Sequence, residues 1–257
     1  MNTTVLDLTA RPGASSAPHR IWRHGLLETR LMLRQGEQVL LALVIPVALL
    51  VGGALLGERF GLDRNALVGS VLAMAVWSTA FTSTAIATGF DRRQGVLERL
   101  AATPLGRSGL VGGKIVAVVL MTALQWVVLL AVALVMGWRL HSGVVETAGT
   151  LVGVVLAVAA FTSFALALAG TLRAEATLGL ANLLYLVGLV LGIVVSPAAF
   201  GSPWAAVVGL LPTGALGEVL RAWTGTHDVS MIWGLLVLAV WALAGTLLAR
   251  KVFRWTA

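Results

Sequence analysis

Long apolar stretches alternate with short charged segments along most of this chain. Six stretches reach or approach the roughly 18 residues that a helix needs to cross the hydrocarbon core of a bilayer. Their interiors carry no Asp, Glu, Lys or Arg, and Lys114 stands at the edge of the third. The pattern predicts an all-α membrane protein with six transmembrane helices, at about 39–57, 66–90, 111–137, 148–172, 177–195 and 231–249.

The segment before the first span has a different pattern. Residues 1–18 lack apolar periodicity and contain Pro and Gly, which predicts a flexible tail rather than a secretory signal, because no apolar region appears before residue 39. Residues 19–38 return to a helical period and predict an amphipathic helix lying at the membrane surface. Leu27 and Leu31 fall outside its apolar arc, so a solvated basic helix is the alternative. The interfacial side chains are Trp22, Arg23, Arg30 and Arg34.

Two connecting segments are more than turns. Between spans two and three, Val96 to Ala102 is compatible with a short charged surface helix, which Pro104 ends. Between spans five and six, residues 204–211 and 214–223 form apolar helical stretches that are too short to cross a bilayer. Their lengths predict a re-entrant or interfacial helical hairpin.

Composition supports a membrane protein. Of 257 residues, 58% are hydrophobic and 11% are charged, whereas a soluble domain carries about a quarter charged residues. An ordinary soluble globular domain is therefore excluded. The chain has no cysteine, which removes disulfides and thiolate chemistry. The bias toward Arg, Ala, Gly, Val and Leu hints at a bacterial source.

The positions of the basic residues predict the orientation. The net charge of +7 would suggest nucleic acid in a soluble protein, but in this chain it reflects membrane topology, and no nucleic-acid partner is expected. Six spans put both termini and two loops on one side, with fourteen basic residues against four on the other. The positive-inside rule makes that side cytoplasmic. The four outer residues are Arg59, Arg64, Arg139 and Arg221.

The sequence offers no catalytic constellation. The nearest approach to a phosphate-binding loop is Ser108 to Ile115, where Ser replaces the first Gly and Ile replaces the hydroxyl residue, so Lys114 is interpreted as a basic anchor. The four histidines lack metal-site spacing. Spans without acids argue against a proton-driven carrier. We therefore expect no enzyme activity and no cofactor or metal bound by this chain, and any active transport must be driven by a separate subunit.

The loop between spans two and three, DRRQGVLERLAATPLGRSGLVGGK, resembles the corresponding segment of ABC-2-type ABC transporter permeases. RAEA at 173–176 and LPTGALGEVLRAW before the last span are also similar, so the resemblance covers nearly the whole chain after residue 18. Gln94 and Val96 depart from the frequent acidic residue and Thr. The matching loop residues are Asp91, Arg92, Gly95, Leu97, Glu98, Thr103, Pro104 and Lys114.

The resemblance implies an exporter subunit of the bacterial cytoplasmic membrane, similar to daunorubicin-resistance permeases, with a drug-like or lipid-like cargo. It implies a cytoplasmic ATP-binding subunit in two copies, which binds ATP and Mg, and a second permease, either identical or related. The loop helix would couple the two subunits, with Leu97 and Leu100 entering an apolar groove of the partner. The coupling residues would be Arg92, Gly95, Leu97, Glu98, Leu100, Thr103 and Pro104.

Two other classes of protein remain as alternatives. A six-span channel would normally show a ring of polar or charged side chains along its pore. A membrane-embedded enzyme or assembly factor would require buried catalytic polar residues, which the sequence does not show. An ABC ATPase in a neighbouring reading frame would separate these classes from a permease.

Overall fold

The computed structural model describes residues 15–34, 36–57, 62–140, 142–226 and 230–253, and of residues 37–41 only the backbone. Within these residues the protein is helical, without a strand. The helices are α1 (Ala17–Arg34), α2 (Gly36–Leu56), α3 (Arg64–Trp77), α4 (Thr84–Arg93), α5 (Val96–Ala101), α6 (Gly106–Val135), α7 (Val144–Thr171), α8 (Ala174–Gly188), α9 (Trp204–Gly209), α10 (Pro212–Thr224) and α11 (Met231–Val252).

Five helices in the described part are long and apolar enough to cross a membrane. One of them is the continuous run Arg64–Arg93, in which a π-helical segment, Ser78–Ser83, joins α3 to α4. Another is Ala174–Ile193, in which α8 continues into a π-helical turn at Leu189–Ile193. With α6, α7 and α11, these helices confirm an all-α membrane protein. Helix α2 contributes a shorter apolar stretch, residues 42–56.

The helices form a bundle with two distinct ends. At one end, called the α5 end, the last turn of α4 meets α5 and the first turns of α6 and α8. At the other, called the α10 end, α10 packs against α3, α7 and α11. Asp63 begins α3 at this end, where its side chain accepts a hydrogen bond of 2.9 Å from the Asn65 amide and stabilises the helix N-terminus.

Aromatic side chains fill the centre of the bundle. Trp77 stacks on Phe81, with ring centroids 4.3 Å apart, and meets the edge of Phe161 at 4.6 Å. The Trp77 indole also donates to the Tyr185 carbonyl at 3.2 Å, which satisfies its polar group inside an apolar core. These contacts join α3, α7 and α8 into one core.

Two sequence-based boundaries need correction. The interfacial helix was expected to run to residue 38, but α1 ends at Arg34 and Gly36 begins α2. Glycine is a poor residue for a helix interior, so the boundary falls beside it. The expected tail, 1–18, lies outside the described residues up to position 14, and α1 already includes Ala17 and Pro18.

The hairpin between the fifth and sixth apolar stretches is confirmed as two helices, α9 and α10. Helix α10 is not exposed on the protein surface, because every residue from Thr213 to Thr224 is buried. Its small residues permit this close packing: a Cβ added at Gly214 would lie 2.1 Å from the Val208 carbonyl oxygen, and one at Gly217 would lie 2.1 Å from that of Gly192.

Candidate functional site

A buried lysine joins three helices at the α5 end. The Lys114 ammonium on α6 lies 2.8 Å from an Asp91 carboxylate oxygen on α4 and 3.3 Å from Glu28 on α1. His24, one helical turn before Glu28, places Nε2 3.4 Å from the same carboxylate. We call His24, Glu28, Asp91 and Lys114 the Lys114 cluster. Lys114 is therefore more than the basic anchor expected from the sequence, since it connects α1 to the last turn of α4.

Glycines allow α1 to approach α6 closely enough to form this cluster. A Cβ added at Gly25 would lie 2.5 Å from Val116 Cγ1, and one at Gly113 would lie 2.3 Å from the His24 ring. Both distances are far shorter than van der Waals contact. The helix expected to lie on the membrane surface thus packs one face against α6. That face carries His24 and Gly25, which are buried.

The environment of His24 favours its neutral form. Burial lowers the pKa of His24 from its ordinary value of 6.5, the nearby Lys114 charge acts in the same direction, and Glu28 and Asp91 oppose them. Burial is the largest of these causes because desolvation penalises the protonated imidazolium. His24 is therefore a neutral side chain in the protein near pH 7.

Helix α5 follows α4 through a left-handed glycine. Gly95 has a φ of 68°, a conformation that glycine adopts without steric cost. Arg99 stabilises this turn between α4 and α5, because its Nη2 donates a hydrogen bond of 2.8 Å to the Gln94 carbonyl. Val96–Ala101 confirms the predicted short helix.

Leu97 corrects the expected arrangement of the coupling residues. Its side chain is 0% exposed on a helix that packs against α4 and α6, so the expectation that it enters a groove of a partner is wrong. It faces the protein because a short helix at the bundle end must bury its few apolar side chains against its own chain. Leu100 is half-buried, and the exposed positions are Glu98, Arg99, Ala102, Thr103 and Pro104.

Of the remaining predicted residues, Arg92 and Thr103 form hydrogen bonds within the chain, whereas the four on α1 are exposed. Arg92 faces inward, where its Nη1 donates to the Ala169 carbonyl at 2.8 Å and ties α4 to the end of α7. Thr103 Oγ1 donates to the Leu100 carbonyl at 2.6 Å and stabilises the turn after α5. The four residues predicted for the interfacial helix are all exposed on α1: Trp22, Arg23, Arg30 and Arg34.

A groove with mixed polarity lies between α2, the α3–α4 run and α8. Its volume is about 590 Å³, and it extends from the middle of the bundle to Asp91 and Gln94 at the α5 end. Apolar side chains of α2 face hydroxyl and amide groups across it. The polar residues of the lining are Ser78, Thr82, Ser83, Asp91, Gln94, Asn182 and Tyr185.

A second cavity is apolar and rich in aromatic rings. Its volume is about 570 Å³, and it lies between α3, α7, α8 and α11. Trp241 lines it from α11 and stacks edge-on against Phe164 at 5.5 Å. Among the described residues, no Asp, Glu, Lys or Arg lines this cavity. The aromatic lining residues are Trp77, Phe81, Phe161, Phe164 and Trp241.

A buried ion pair at the α10 end was missed by the sequence analysis. Arg221 and Glu218 are 3% and 5% exposed, with Nη2 and Oε1 2.6 Å apart. The pair lies outside the six predicted spans, in a helix that is too short to cross a bilayer. The sequence feature that indicates such a pair is an acidic and a basic residue three positions apart within an apolar helix.

The arginine of this pair also supplies hydrogen-bond donors to a break in the membrane-length helix Ala174–Ile193. Leu191 and Gly192 leave the helical conformation, with φ of 106° at Gly192. Arg221 donates to the carbonyls of Gly192 at 2.7 Å and Ile193 at 2.9 Å. We call Gly192, Ile193, Glu218 and Arg221 the Arg221 cluster. The Arg221 guanidinium thus replaces backbone hydrogen bonds that the break in the helix removes.

Comparison with known families agrees with this architecture. A family model described as ABC-2 family transporter protein matches residues 63–251, well over half of the chain. The match begins at the start of α3 and so leaves α1 and α2 outside it. A search of curated proteins finds no match. The bundle, the helix between its second and third apolar stretches and the matched family model together show that this chain belongs to the ABC-2 family of transporter proteins.

Proposed function

We propose that this permease subunit of an ABC transporter works as an exporter for a hydrophobic or amphipathic, drug-like or lipid-like cargo. It would be driven by a separate ATP-binding subunit that holds ATP and Mg, in an assembly with two copies of each subunit. The second permease would be identical or related. Helix α2 would serve as the sixth span, and both termini would lie on the cytoplasmic side of a bacterial cell membrane.

The Lys114 cluster is the observation that carries the coupling part of this proposal. It joins α1, α4 and α6 through Glu28, Asp91 and Lys114, directly beside α5 with its exposed Glu98 and Arg99. A force applied to α5 by a partner would therefore reach two membrane helices and the interfacial helix together. Packed side chains and charge networks are the physical means by which such coupling travels.

The two cavities support the class of cargo. The aromatic cavity would accept apolar groups, since the described residues of its lining include no ionisable side chain and aromatic rings bury large apolar area. The polar groove offers hydroxyl and amide groups, including Ser78 and Asn182, for the polar part of an amphipathic molecule. Channel and enzyme functions receive no comparable support from the described residues.

The expected orientation is tested by cysteine labelling, which the cysteine-free chain makes simple. Ala199→Cys lies at the α10 end, and Ala102→Cys follows α5; both positions are exposed. In intact cells an impermeant maleimide should label position 199 and leave position 102 unlabelled until the membrane is opened. The reverse pattern would refute the cytoplasmic placement of α5.

Coupling is tested on the complex with an ABC ATPase that co-purifies with this chain. Glu98→Arg reverses an exposed charge on α5 without disturbing the core, whereas Leu97→Asp would damage the chain itself. In proteoliposomes, hydrolysis stimulated by a hydrophobic amine should require both subunits and fall about fivefold in the Glu98 variant, the effect of a rim contact of roughly 1 kcal/mol.

Glu146→Arg is the matched control, since Glu146 is also exposed and lies in the first turn of α7 at the α10 end. It should retain parental hydrolysis. Equal activity of the Glu98 variant and the parent would remove α5 as the coupling element. Absence of any association with an ABC ATPase would overturn the assignment of an ATP-driven exporter.

A further inference from the structure

A cavity with a basic lining lies between α1 and the turn that leads from α5 into α6. Its volume is about 990 Å³, larger than the two cavities described above. Helix α1 provides its basic side and the α5–α6 turn provides Thr103, Pro104 and Leu105. The basic side chains of the lining are His19, Arg20, Arg23, His24 and Arg30.

Three guanidinium groups in this lining are not paired with a carboxylate of the described residues. Arg23 and Arg30 are exposed. Arg20 donates from Nη1 to the Ser15 carbonyl, while its Nε is buried without a hydrogen-bond partner in the described part of the chain. The carboxylate of this region, Glu28, faces Lys114 on the other side of the helix. The cavity therefore presents a concentrated positive charge that no carboxylate of the described residues neutralises.

Apolar groups surround this charge and fix its height relative to the membrane. Leu26, Leu27 and Leu105 belong to the same lining. Trp22 and Leu31 are each about half exposed on α1, which packs on the first turns of the membrane-length helix α6. Exposed apolar side chains and an indole prefer the boundary between headgroups and acyl chains. This preference would place the neighbouring guanidinium groups at the level of lipid phosphates.

From these observations we propose that the cavity between α1 and the α5–α6 turn binds the phosphate headgroup of an anionic phospholipid. The guanidinium groups of Arg20, Arg23 and Arg30 hold the phosphate, since planar guanidinium forks match phosphate oxygens. The leucines of the lining contact the glycerol and the upper acyl carbons. An acidic surface of a protein partner is the other occupant of similar charge, but the leucine lining and the neighbouring exposed indole favour a lipid.

Lipid binding in this cavity would affect the proposed coupling, although the lipid site does not depend on that coupling. The cavity is lined by Thr103, Pro104 and Leu105 on one side and by α1 on the other. A bound lipid bridges these two elements a short distance from the Lys114 cluster. Occupancy of the cavity therefore stabilises the docked position of α1 beside the loop helix.

Native mass spectrometry of the purified full chain in a non-ionic detergent tests the proposal. The chain is titrated with phosphatidylglycerol, and with phosphatidylcholine as the neutral-headgroup comparison. We expect phosphatidylglycerol to bind at least tenfold more tightly. Arg20→Gln, Arg23→Gln and Arg30→Gln should each weaken its binding about fivefold, the effect of one basic residue near a membrane surface.

A variant with the same loss of charge elsewhere provides the control. Arg173→Gln, Arg250→Gln and Lys251→Gln remove three exposed basic groups at the α5 end that do not line the cavity, and their triple variant should bind phosphatidylglycerol as the parent does. The three cavity substitutions are also combined in one triple variant. If that variant does not purify as a folded chain, the single variants of the exposed Arg23 and Arg30 test whether the cavity binds the lipid.

Three results would overturn the proposal. Equal weakening by the control triple variant would show a diffuse charge effect. Displacement of the lipid by glycerol 3-phosphate at equal concentration would show a site for soluble anions. Parental lipid binding by the triple variant Arg20→Gln, Arg23→Gln, Arg30→Gln would show that the cavity does not hold the lipid. If that variant also fails to co-purify with the ATP-binding subunit, the cavity is a protein docking site, a result that leaves the exporter assignment intact.

Discussion

The Lys114 cluster and the Arg221 cluster both bury a cation beside carboxylates, at opposite ends of one bundle, but they are built differently. Lys114 receives its partners from two other helices, and those carboxylates are 20% and 30% exposed. Arg221 pairs with Glu218, which lies three residues earlier on the same helix and is 5% exposed. Its guanidinium also donates to two carbonyls of a broken helix. The first arrangement joins separate helices through partly exposed carboxylates. The second holds the backbone of a broken helix through a buried ion pair.

The largest expected effect comes from breaking the Arg221 cluster. Arg221→Met should lower the free energy of unfolding by about 3–5 kcal/mol, because it leaves Glu218 charged and unpaired in the interior and the Gly192 and Ile193 carbonyls without donors. Unfolding of the purified chain in mixed micelles of increasing SDS content measures it. Adding Glu218→Met should recover part of the loss. A double variant as unstable as the single would show that the carbonyl contacts, not the ion pair, dominate.

The next effect tests the close approach that forms the Lys114 cluster. Gly25→Leu places a side chain where even a Cβ would lie 2.5 Å from Val116, and overpacking of this kind costs about 1–3 kcal/mol. Faster hydrogen exchange in α1 should report its displacement from α6. Gly36→Leu, where an added Cβ meets nothing within 4 Å, is the control. Unchanged exchange in the Gly25 variant would contradict this packing.

Removing the central cation should have a smaller effect than removing Arg221. Lys114→Met leaves Glu28 and Asp91 without their shared partner, but water reaches both carboxylates, so we expect a loss of about 1–2 kcal/mol. The loss should appear as local opening of α1 in hydrogen exchange while the SDS midpoint of the bundle stays near the parental value. A global loss equal to that of Arg221→Met would remove the distinction between the two clusters.

The smallest expected effect is a pH dependence of the docking of α1 at the α5 end. Burial lowers the pKa of His24 from 6.5, so undocked α1 takes up a proton on His24 more readily than docked α1 does. Docking is therefore at full strength above about pH 6.5 and weakens as the pH falls below it. Glu28 and Asp91 limit the effect, and Lys114 adds to it.

Proteolytic nicking of α1 at pH 5.5 and pH 7.5 measures this dependence, with nicking of a soluble reference peptide as the correction for protease activity. His24→Gln should remove the difference between the two pH values. A difference that persists in this variant would assign the dependence to another group of the cluster.

The sequence predicted the elements that an apolar period can show. The membrane helices follow from stretches without charge, and the short helix α5 follows from the segment before Pro104. It did not predict which side chains of α5 face outward, because Leu97 and Leu100 look equivalent by spacing, while packing against α4 and α6 buries the first completely. Exposure is a property of the neighbours of a residue.

The depth of α10 shows the same limit. Its length and prolines were compatible with a surface hairpin, yet every residue from Thr213 to Thr224 is buried. The small residues Gly214 and Gly217 permit this packing, but glycine alone does not specify a neighbour. The pairing of Arg221 with the break at Gly192 joins residues far apart in the chain, and no local pattern could connect them.

By itself, the sequence determined that the chain is an all-α membrane protein and where its apolar helices and charged loops lie, since lipid imposes length and polarity on each segment independently. Only the tertiary structure decided which charges meet. Lys114 became the shared partner of Glu28 and Asp91, and Arg221 became the donor for a broken helix. Such contacts depend on how separate helices pack, because each requires donors and acceptors from distant segments to occupy one small volume.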